Sequence, residues 1–491
     1  MEQRMVKHDR RVSAWKATTV VKGKNGKHDE PRSLQSNVES IAFETPDERR
    51  FKGKALRKAA PREDQGHWKP TRDRRDPVDL LNASNEGRLP ELIPIRFGRM
   101  MQSPFAFYRG SAAVMVADLA TMKSPGIQVQ VCGDAHLSNF GGFATPERRI
   151  IFDINDFDET LPGPWEWDLK RLIASIVLAG RHIGLSESDT GRAVVATARS
   201  YREHMADYAT MRALDVWYDA IDIDRFIAEM EEGTQERIED RLKRIRAKNT
   251  PEFLFPKFVE HVGELPRIMD DPPLIFHPTA EQMPGIHSGY KDAWARYRDS
   301  LSEHVRVLYD RYYFCDMALK VVGVGSVGTF CLIALFMTSE EDPIFLQVKE
   351  ANASVLEPYV GASVHPNHGQ RVVAGQRLMQ SASDLFLGWG IGNNGRHFYV
   401  RQLRDMKTSA IIEHFKAADL RAYGRVCGWA LARAHARSGD AAMIAGYMGS
   451  SEIFDDAMSD FAVEYADQAQ RDYRTFVKAA RQGRIKAIID A

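Results

Sequence analysis

Cysteine is scarce in this sequence of 491 residues. The four cysteines are scattered without the pairwise spacing of a zinc site or a disulfide framework: Cys132, Cys315, Cys331 and Cys427. The pattern therefore argues against a disulfide-stapled secreted domain and against a cysteine-held metal. We expect reduced thiols in a cytoplasmic protein.

Long apolar runs are also missing. No run approaches the roughly 20 apolar residues that a membrane-spanning helix needs. The opening letters MEQRMVKHDRR are charged and have no apolar segment behind them, so the sequence predicts no signal peptide. We expect a soluble chain with no membrane partner.

Net charge is absent overall, since 67 Lys and Arg balance 67 Asp and Glu. The balance is uneven, because residues 1–75 hold 20 Lys and Arg against 11 Asp and Glu. We predict a basic, partly disordered arm over 1–75, because its sparse apolar content cannot offset the entropy cost of ordering it. No nucleic-acid-binding motif accompanies this charge, so nucleic acid is not the expected partner.

Two strand-like runs each lead into a turn that is rich in ligand groups. Residues 127–131 are followed by Asp134, His136 and Asn139, and residues 150–154 are followed by Asp156 and Asp158. Because strands place every second residue on one face, Asp156 and Asp158 can point the same way, toward the turn of Asp134. Carboxylates gathered this closely need a cation or a raised pKa, and carboxylate with amide oxygen suits Mg²⁺.

Two residues near these turns have two interpretations each. Arg109 precedes Gly-Ser at the start of a predicted helix, where it could hold a phosphate or pair with one of the carboxylates. Asp168 lies in the first turn of a helix predicted over Trp167–His182, which Gly184 closes. Asp168 could stabilise the helix dipole or hold the backbone of the Asp134 turn.

A glycine-rich segment lies farther along the chain, between two apolar runs. It holds Gly323, Gly325, Ser326 and Gly328, and Lys349 comes near the end of the next predicted strand. Glycines at this spacing let the backbone approach a phosphate, and the lysine supplies a countercharge, although a bulged hairpin would give the same pattern. We take Glu357 as the carboxylate partner of Lys349.

The order CGDAHLSN, then a strand, then DFD, then WDL resembles the catalytic core of aminoglycoside and choline kinases within the protein-kinase-like fold. The resemblance implies Asp134 as catalytic base and Asn139 and Asp156 as metal ligands. It makes Lys349, Gly323, Gly325, Ser326 and Gly328 the groups that bind ATP. Cys132 departs from the pattern, since that family usually has histidine there.

Kinases place the glycine loop and the lysine before the catalytic loop, and here they follow it, so the resemblance implies a circularly permuted α+β kinase-like fold with two lobes. The expected divisions are a helical lobe with the catalytic loops (76–315), a β-rich nucleotide-binding lobe (316–408) and C-terminal helices that complete the helical lobe (409–491). Over nearly its whole length, with RMMQSPFAFYRGSA, NDFDETLPGPWEWDLKRL and FYVRQLRDMK, the chain also looks like the bacterial family called domain of unknown function 2252. That family brings no established activity.

The resulting hypothesis is an ATP- and Mg²⁺-dependent phosphotransferase that acts on an unknown hydroxyl acceptor, such as a small molecule. Transfer of AMP would use the same groups. Two alternatives stay open, a two-metal phosphoesterase suggested by Asp134-Ala-His136 and a nucleotide-binding protein without turnover. The sequence predicts neither the acceptor nor the oligomeric state.

Overall fold

The computed structural model describes residues 44–228, 233, 235–236, 239, 255, 258–262, 265–272, 274–279, 290–321, 327–339, 342–403 and 408–488. Thr45–Ala491 forms one compact unit, and the helices and strands given below all lie within it.

Sixteen helices are numbered here along the described residues. They are α1 (Pro46–Ala55), α2 (Pro77–Ala83), α3 (Ile93–Met100), α4 (Pro104–Arg109), α5 (Ala112–Leu119), α6 (Trp165–His182), α7 (Glu187–Tyr208), α8 (Ala213–Tyr218), α9 (Ile223–Ala228), α10 (Tyr290–Ser300), α11 (Glu303–Tyr309), α12 (Glu357–Val360), α13 (His368–Met379), α14 (Ala417–Ser438), α15 (Ala441–Met448) and α16 (Ile453–Arg481).

The strands of the described residues are β1 (Gln128–Val131), β2 (Phe140–Ala144), β3 (Ile150–Ile154), β4 (Leu161–Pro164), β5 (Ile221–Asp222), β6 (Val259–Val262), β7 (Leu265–Ile268), β8 (Ile275–Phe276), β9 (Tyr313–Lys320), β10 (Cys331–Met337), β11 (Pro343–Glu350), β12 (Gly388–Ile391), β13 (His397–Gln402) and β14 (Thr408–Ser409). All of their pairings are antiparallel. The predicted α+β class is therefore confirmed.

A six-stranded sheet of order β12-β13-β11-β10-β9-β8 has an apolar core on each face. Strand β10 shows why, because its residues alternate between the two cores: Leu332, Ala334 and Phe336 enter one, and Ile333, Leu335 and Met337 enter the other. A strand covered on both faces is apolar throughout, as CLIALFM is. Cys331, Lys349 and Tyr399 are neighbours across three strands and lie on the second face of the sheet. At this end of β11 polar groups replace the apolar core.

The largest core lies in the helical part and is built around α6, α7, α14 and α16. Helix α6 is buried along Trp165–Gly180, so it runs through the interior and is not an amphipathic surface helix. Helix α14 packs closely on α7 because Gly428 lacks a side chain, and a Cβ there would lie 2.5 Å from the carbonyl oxygen of Thr197. The predicted end of α6 is also observed, since Gly184 follows it with φ of +75°.

The two predicted ligand-bearing turns belong to a smaller, second sheet and a two-stranded ribbon. Strands β14-β2-β3-β5 form the sheet, and β1 pairs with β4. All of β3 is buried. The turns after β1 and β3 are therefore anchored by strands that are fixed in the core.

Part of the predicted basic arm is folded onto the helices. Helix α1 begins with a capping box formed by Thr45 and Glu48. Farther on, Arg57 donates to the carbonyl oxygens of Tyr447 (2.8 Å) and Gly446 (2.7 Å) at the C-terminal end of α15, where positive charge is favoured. Basic residues that the sequence assigned to an arm thus serve as helix caps.

Among the described residues, none of the helices combines the length and the apolar character needed to cross a membrane.

Candidate functional site

The turn after β1 and the turn after β3 are tied together by one amide. The Nδ2 atom of Asn139 donates to the backbone oxygens of Asp134 (3.1 Å) and Asp156 (3.0 Å). The backbone N–H of Asn155 donates in turn to the backbone oxygen of Asn139 (2.9 Å). The side-chain amide of Asn139 uses both of its N–H bonds on Asp134 and Asp156, so its side-chain oxygen is the atom that can accept from a ligand or bind a cation.

Asp168 holds the backbone of the Asp134 turn. Its carboxylate accepts from the backbone N–H groups of Cys132 (2.7 Å) and Gly133 (3.0 Å). Of the two predicted roles of Asp168, support of this turn is confirmed. The oxygen of Asp168 that accepts from Cys132 also lies 3.3 Å from Nε2 of His435, whose Nδ1 is 2.8 Å from the hydroxyl of Tyr201. The carboxylate of Asp168 thus contacts a histidine that comes from α14. The turn itself has Cys132 at the position where the kinase pattern usually has histidine.

Asp134 has one oxygen engaged and one facing the open side of the turn. Arg171 on α6 donates to Oδ1 from Nε (2.8 Å) and lies 2.7 Å from it through Nη2. The Asp134 side chain is 22% exposed, whereas that of Arg171 is 3% exposed. Burial raises the pKa of Asp134, and Arg171 opposes the rise. The guanidinium fixes the direction of the carboxylate and leaves Oδ2 toward the imidazole of His136, 3.9 Å away.

His136 is a neutral imidazole in this setting. Burial lowers its pKa well below the ordinary value, and the positive charges of Arg109 and Arg171 lower it further. Its Nδ1 atom is buried without a hydrogen-bond partner. A buried polar atom that lacks a partner costs free energy, so a ligand that bonds to it would be favoured.

Lys349 reaches the turn after β3 from the six-stranded sheet. Its Nζ lies 2.8 Å from Oδ2 of Asp158 and 3.5 Å from Oδ1 of Asp156. The lysine side chain is 3% exposed, and Tyr399 donates to the other oxygen of Asp158 (2.6 Å). Although burial opposes the charged form, Asp156 and Asp158 raise the pKa of Lys349 well above its ordinary value. The group is therefore a buried ammonium held by two carboxylates.

The predicted pairing of Lys349 with Glu357 needs correction. Glu357 begins α12, where its Oε1 accepts from the backbone N–H of Ser354 (3.4 Å) and lies 3.9 Å from Nδ1 of His368. Asp158 and Asp156 pair with Lys349 instead. The physical reason is that β11 ends directly against the turn after β3, which brings two carboxylates to the lysine before the chain reaches α12.

Of the glycine-rich segment, the structure describes the end, from Val327 onward. Gly323, Gly325 and Ser326 lie outside the described residues. Gly328 has φ of +91°, and a Cβ on it would lie 3.2 Å from the side chain of Arg88. Arg88 donates to the carbonyl oxygen of Val327 (2.6 Å), and the backbone N–H of Leu89 donates to that of Gly328 (2.7 Å). The loop between α2 and α3 therefore holds the end of the glycine-rich segment.

Three arginines that sequence reasoning missed support the site: Arg88, Arg171 and Arg371. Arg371 on α13 donates to the backbone oxygens of Thr160 (2.6 Å), Asp158 (2.8 Å) and Asn352 (2.9 Å) and so braces the turn after β3. Arg171 could have been predicted from the sequence, because it follows Asp168 by three residues on a predicted helix and therefore lies on the same face of that helix. Arg88 and Arg371 come from segments that no pattern connects with the turns.

Arg109, the last residue of α4, is not paired with a carboxylate in the described part of the chain. Its Nε atom is buried without a hydrogen-bond partner. Burial lowers its pKa, and the nearby charges of Asp134 and Glu413 oppose this. Of the two interpretations of Arg109, the ion pair is therefore not formed.

The oxygen ligands at the turns fit magnesium better than zinc or a two-metal centre. No group of three or more His, Cys, Asp or Glu is placed to hold a metal ion in the part of the chain that the structure describes. The Asp156 side chain is 41% exposed, and Asn139, whose amide contacts the Asp156 backbone at 3.0 Å, adds an amide oxygen to the same pair of turns. Magnesium commonly binds to one or two protein oxygens and completes its shell with water and substrate phosphates, so this pair suits it.

The model of one protein family matches residues 88–479, and its description is "uncharacterized protein conserved in bacteria", domain of unknown function 2252. Because the match spans most of the sequence, the chain belongs to this family. No curated protein and no solved structure matches it.

Proposed function

We propose that this member of the family is an ATP- and Mg²⁺-dependent phosphotransferase with a circularly permuted, two-lobed, protein-kinase-like fold. The observation that carries the proposal is the contact of Lys349 with Asp156 and Asp158, at 3.5 and 2.8 Å. Kinases bring their phosphate-binding lysine and their metal-binding aspartate to one site in the same way. Here the two groups come from segments that lie in the reverse order along the chain.

The division into lobes is supported by the separate cores. The six-stranded sheet, with an apolar core on each face, would be the small nucleotide-binding lobe. The core around α6, α7, α14 and α16 would belong to the large lobe. The contacts of Lys349 with Asp156 and Asp158 join the sheet to the turn after β3, which is where a nucleotide would lie between the lobes.

Lys349 would bind the α- and β-phosphates, with Gly323, Gly325, Ser326 and Gly328 along their other side. Asn139 and Asp156 would hold magnesium, which neutralises charge on the phosphates when bound. Phosphate oxygens would then replace the carboxylate oxygens around the Lys349 ammonium. Because Lys349 is buried and already charged, its ammonium need not be desolvated or protonated when the nucleotide arrives.

Asp134 would orient and deprotonate the acceptor hydroxyl through Oδ2. In the transfer step the hydroxyl oxygen bonds to the γ-phosphorus, the bond to the β-phosphate oxygen breaks, ADP leaves and the hydroxyl proton passes to Asp134. Arg171 holds Oδ1, at 2.8 Å from its Nε, so the free oxygen keeps its direction. Positioning of this kind supplies much of the catalysis in phosphoryl transfer.

Labelled ATP tests the proposal. The purified protein is incubated with Mg²⁺ and ATP carrying label in the γ- or the α-phosphate, together with a pool of small hydroxyl metabolites. Phosphotransfer predicts a product labelled from the γ-position that disappears with Asp134→Asn, which preserves the shape of the side chain but accepts a proton poorly. Label from the α-position would indicate AMP transfer, and no label from either would leave nucleotide binding without turnover.

The two-metal phosphoesterase is the weaker alternative. Such enzymes bring several Asp, Asn and His ligands from separate loops to two metal ions about 3.5–4 Å apart. The described residues supply Asp134 and His136 but no group of three or more His, Cys, Asp or Glu placed to hold a metal ion. Cleavage of a general phosphate ester with Mn²⁺ in the absence of ATP would favour this alternative over the kinase.

A further inference from the structure

Arg109 carries a charge that the described protein does not neutralise. The guanidinium forms neither a hydrogen bond nor an ion pair with another described residue, and its Nε is buried. The arginines Arg171 and Arg371 of the site are engaged, Arg171 by Asp134 and Arg371 by three carbonyl oxygens. A half-buried guanidinium whose Nε is buried without a partner is costly, so Arg109 is suited to bind an anion.

The end of α4 lies next to the proposed catalytic carboxylate. Arg171 joins the two, because it donates through Nη2 to the carbonyl oxygen of Tyr108 (2.6 Å) and through Nε to Oδ1 of Asp134 (2.8 Å). Tyr108 directly precedes Arg109 in the sequence. The peptide group that joins Tyr108 to Arg109 is therefore separated from the Asp134 carboxylate by one guanidinium group.

His136 lies beside Asp134 and has a ring nitrogen without a partner. Its Nε2 is 3.9 Å from Oδ2 of Asp134, and its Nδ1 is buried without a hydrogen-bond partner. A ligand that bonds to this imidazole would satisfy a polar atom that is otherwise unsatisfied.

The other strong cation of the site is committed elsewhere. Lys349 is held by Asp156 and Asp158 at 2.8–3.5 Å, on the side proposed for the nucleotide phosphates. Asp134 is bound by Arg171 and exposes its second oxygen toward His136. Two cationic positions thus serve different parts of the site, and Arg109 belongs to the part that would receive the acceptor.

We propose that Arg109 and His136 form an anion-binding subsite for the acceptor, and that the acceptor is a hydroxyl compound carrying a phosphate or carboxylate group near the reacting hydroxyl. This inference rests on the proposed phosphotransferase function. It defines the substrate class, because a neutral alcohol would leave the Arg109 charge without a partner.

Inorganic phosphate is the probe for this subsite, with binding measured by calorimetry on the full chain without nucleotide. The wild-type protein is expected to bind phosphate saturably, and Arg109→Gln should weaken binding at least roughly tenfold, the loss expected when a charge-assisted contact disappears. Arg109→Lys should retain part of the affinity because it keeps the charge. Arg481→Gln, at an exposed position of α16, is the matched control and should bind like the wild type.

Two results would overturn the subsite. One is no saturable binding of phosphate to the wild-type protein, and the other is equal binding to wild type and Arg109→Gln. Circular dichroism on each variant establishes that it is folded, and Arg109→Lys keeps the comparison valid if Arg109→Gln does not fold.

Binding of the Mg²⁺ complex of a non-hydrolysable ATP analogue separates this inference from the proposed function. Arg109→Gln should bind the analogue within about twofold of the wild type, whereas Lys349→Met should not bind it. Loss of analogue binding in Arg109→Gln to the extent seen in Lys349→Met would assign Arg109 to the nucleotide and overturn the acceptor subsite. If the wild-type protein fails to bind the analogue, the kinase proposal falls, while the phosphate titration still decides whether Arg109 holds an anion.

Discussion

Lys349 and Asp158 are separated by 191 residues in the sequence, yet the lysine Nζ donates to the aspartate Oδ2 at 2.8 Å. Asp156 lies at 3.5 Å from the same Nζ. The two carboxylates differ in their surroundings, because Asp158 also accepts from the hydroxyl of Tyr399 at 2.6 Å. Asp158 thus accepts two short hydrogen bonds, whereas Asp156 accepts longer ones, from Lys349 Nζ at 3.5 Å and from the backbone N–H of Asp158 at 3.4 Å. Asp156 is also the more exposed carboxylate of the two.

This difference predicts separate effects of removing each charge. Asp156→Asn should raise the Mg²⁺ concentration needed for nucleotide binding by roughly tenfold or more, because a metal ligand is weakened. Asp158→Asn should change that requirement by no more than about twofold. Nucleotide binding titrated against Mg²⁺ measures both, and equal effects of the two variants would remove Asp156 from its assigned role.

Asp168 is expected to matter for stability. In Asp168→Asn one carboxylate oxygen becomes an NH₂ group, which cannot accept from the backbone N–H groups of Cys132 or Gly133. Leaving a buried donor unsatisfied should lower the free energy of unfolding by about 1–3 kcal/mol. Urea unfolding measures the change. Asp460→Asn, at an exposed position of α16, should be neutral, and a neutral Asp168→Asn would contradict the role in the turn.

The packing of α14 on α7 gives a prediction with an internal control. Gly428→Ala places a methyl group where a backbone oxygen of Thr197 lies 2.5 Å away, so the helices must separate, at a cost of about 1–3 kcal/mol. Gly191 on α7 has open space around its Cα, and Gly191→Ala should stabilise the protein by about 0.4–1 kcal/mol. Thermal unfolding of the two variants should shift in opposite directions, and shifts of the same sign would refute the packing argument.

A pH-dependent contribution to stability is expected from His277. Its Nε2 lies 3.0 Å from Asp316 and its Nδ1 lies 2.7 Å from Asp270. The hydrogen bond to Asp316 raises the pKa of His277 despite burial, and Asp270 adds to the rise. A group whose pKa is higher in the folded state stabilises the protein at low pH and loses this effect as pH rises through the folded-state value.

The free energy of unfolding lost in His277→Gln should therefore be largest below about pH 6.5, the ordinary pKa of histidine, and should decline at higher pH. His304→Gln, at an exposed position of α11, is the control and should show no such trend. A loss in His277→Gln that stays constant between acidic and alkaline pH would contradict the ionic character of this cluster.

Local features of the fold were predictable where one segment determines them. The strand before Asp134 follows from alternation and the strand before Asp156 from an apolar run. The end of α6 follows from helical spacing and from Gly184, whose φ is positive in the structure. The support of the Asp134 turn by Asp168 was one of two predicted roles, and the backbone contacts of Asp168 confirm it.

Contacts between distant segments were not predictable in the same way. Lys349 was assigned to Glu357 because Glu357 is close in sequence, whereas the lysine is held by carboxylates of a turn that precedes it by nearly two hundred residues. Arg371, Arg88 and His435 reach the site from helices and loops whose periodicity shows which face is apolar but not which neighbour that face meets. The contacts of the basic residues near α1 were not predictable either, since Arg57 caps α15, a helix that lies nearly four hundred residues later in the sequence.

Stabilisation by nucleotide tests the central claim most directly. If Lys349 and Asp156 bind one nucleotide together, Mg²⁺ with ATP should stabilise the wild-type protein by about 2.7 kcal/mol at a hundred times the Kd, which raises Tm by a few degrees. Lys349→Met should abolish this shift, while Lys478→Met, exposed on α16, should retain it. A shift that survives in Lys349→Met, or that is missing from the wild-type protein, would contradict the account.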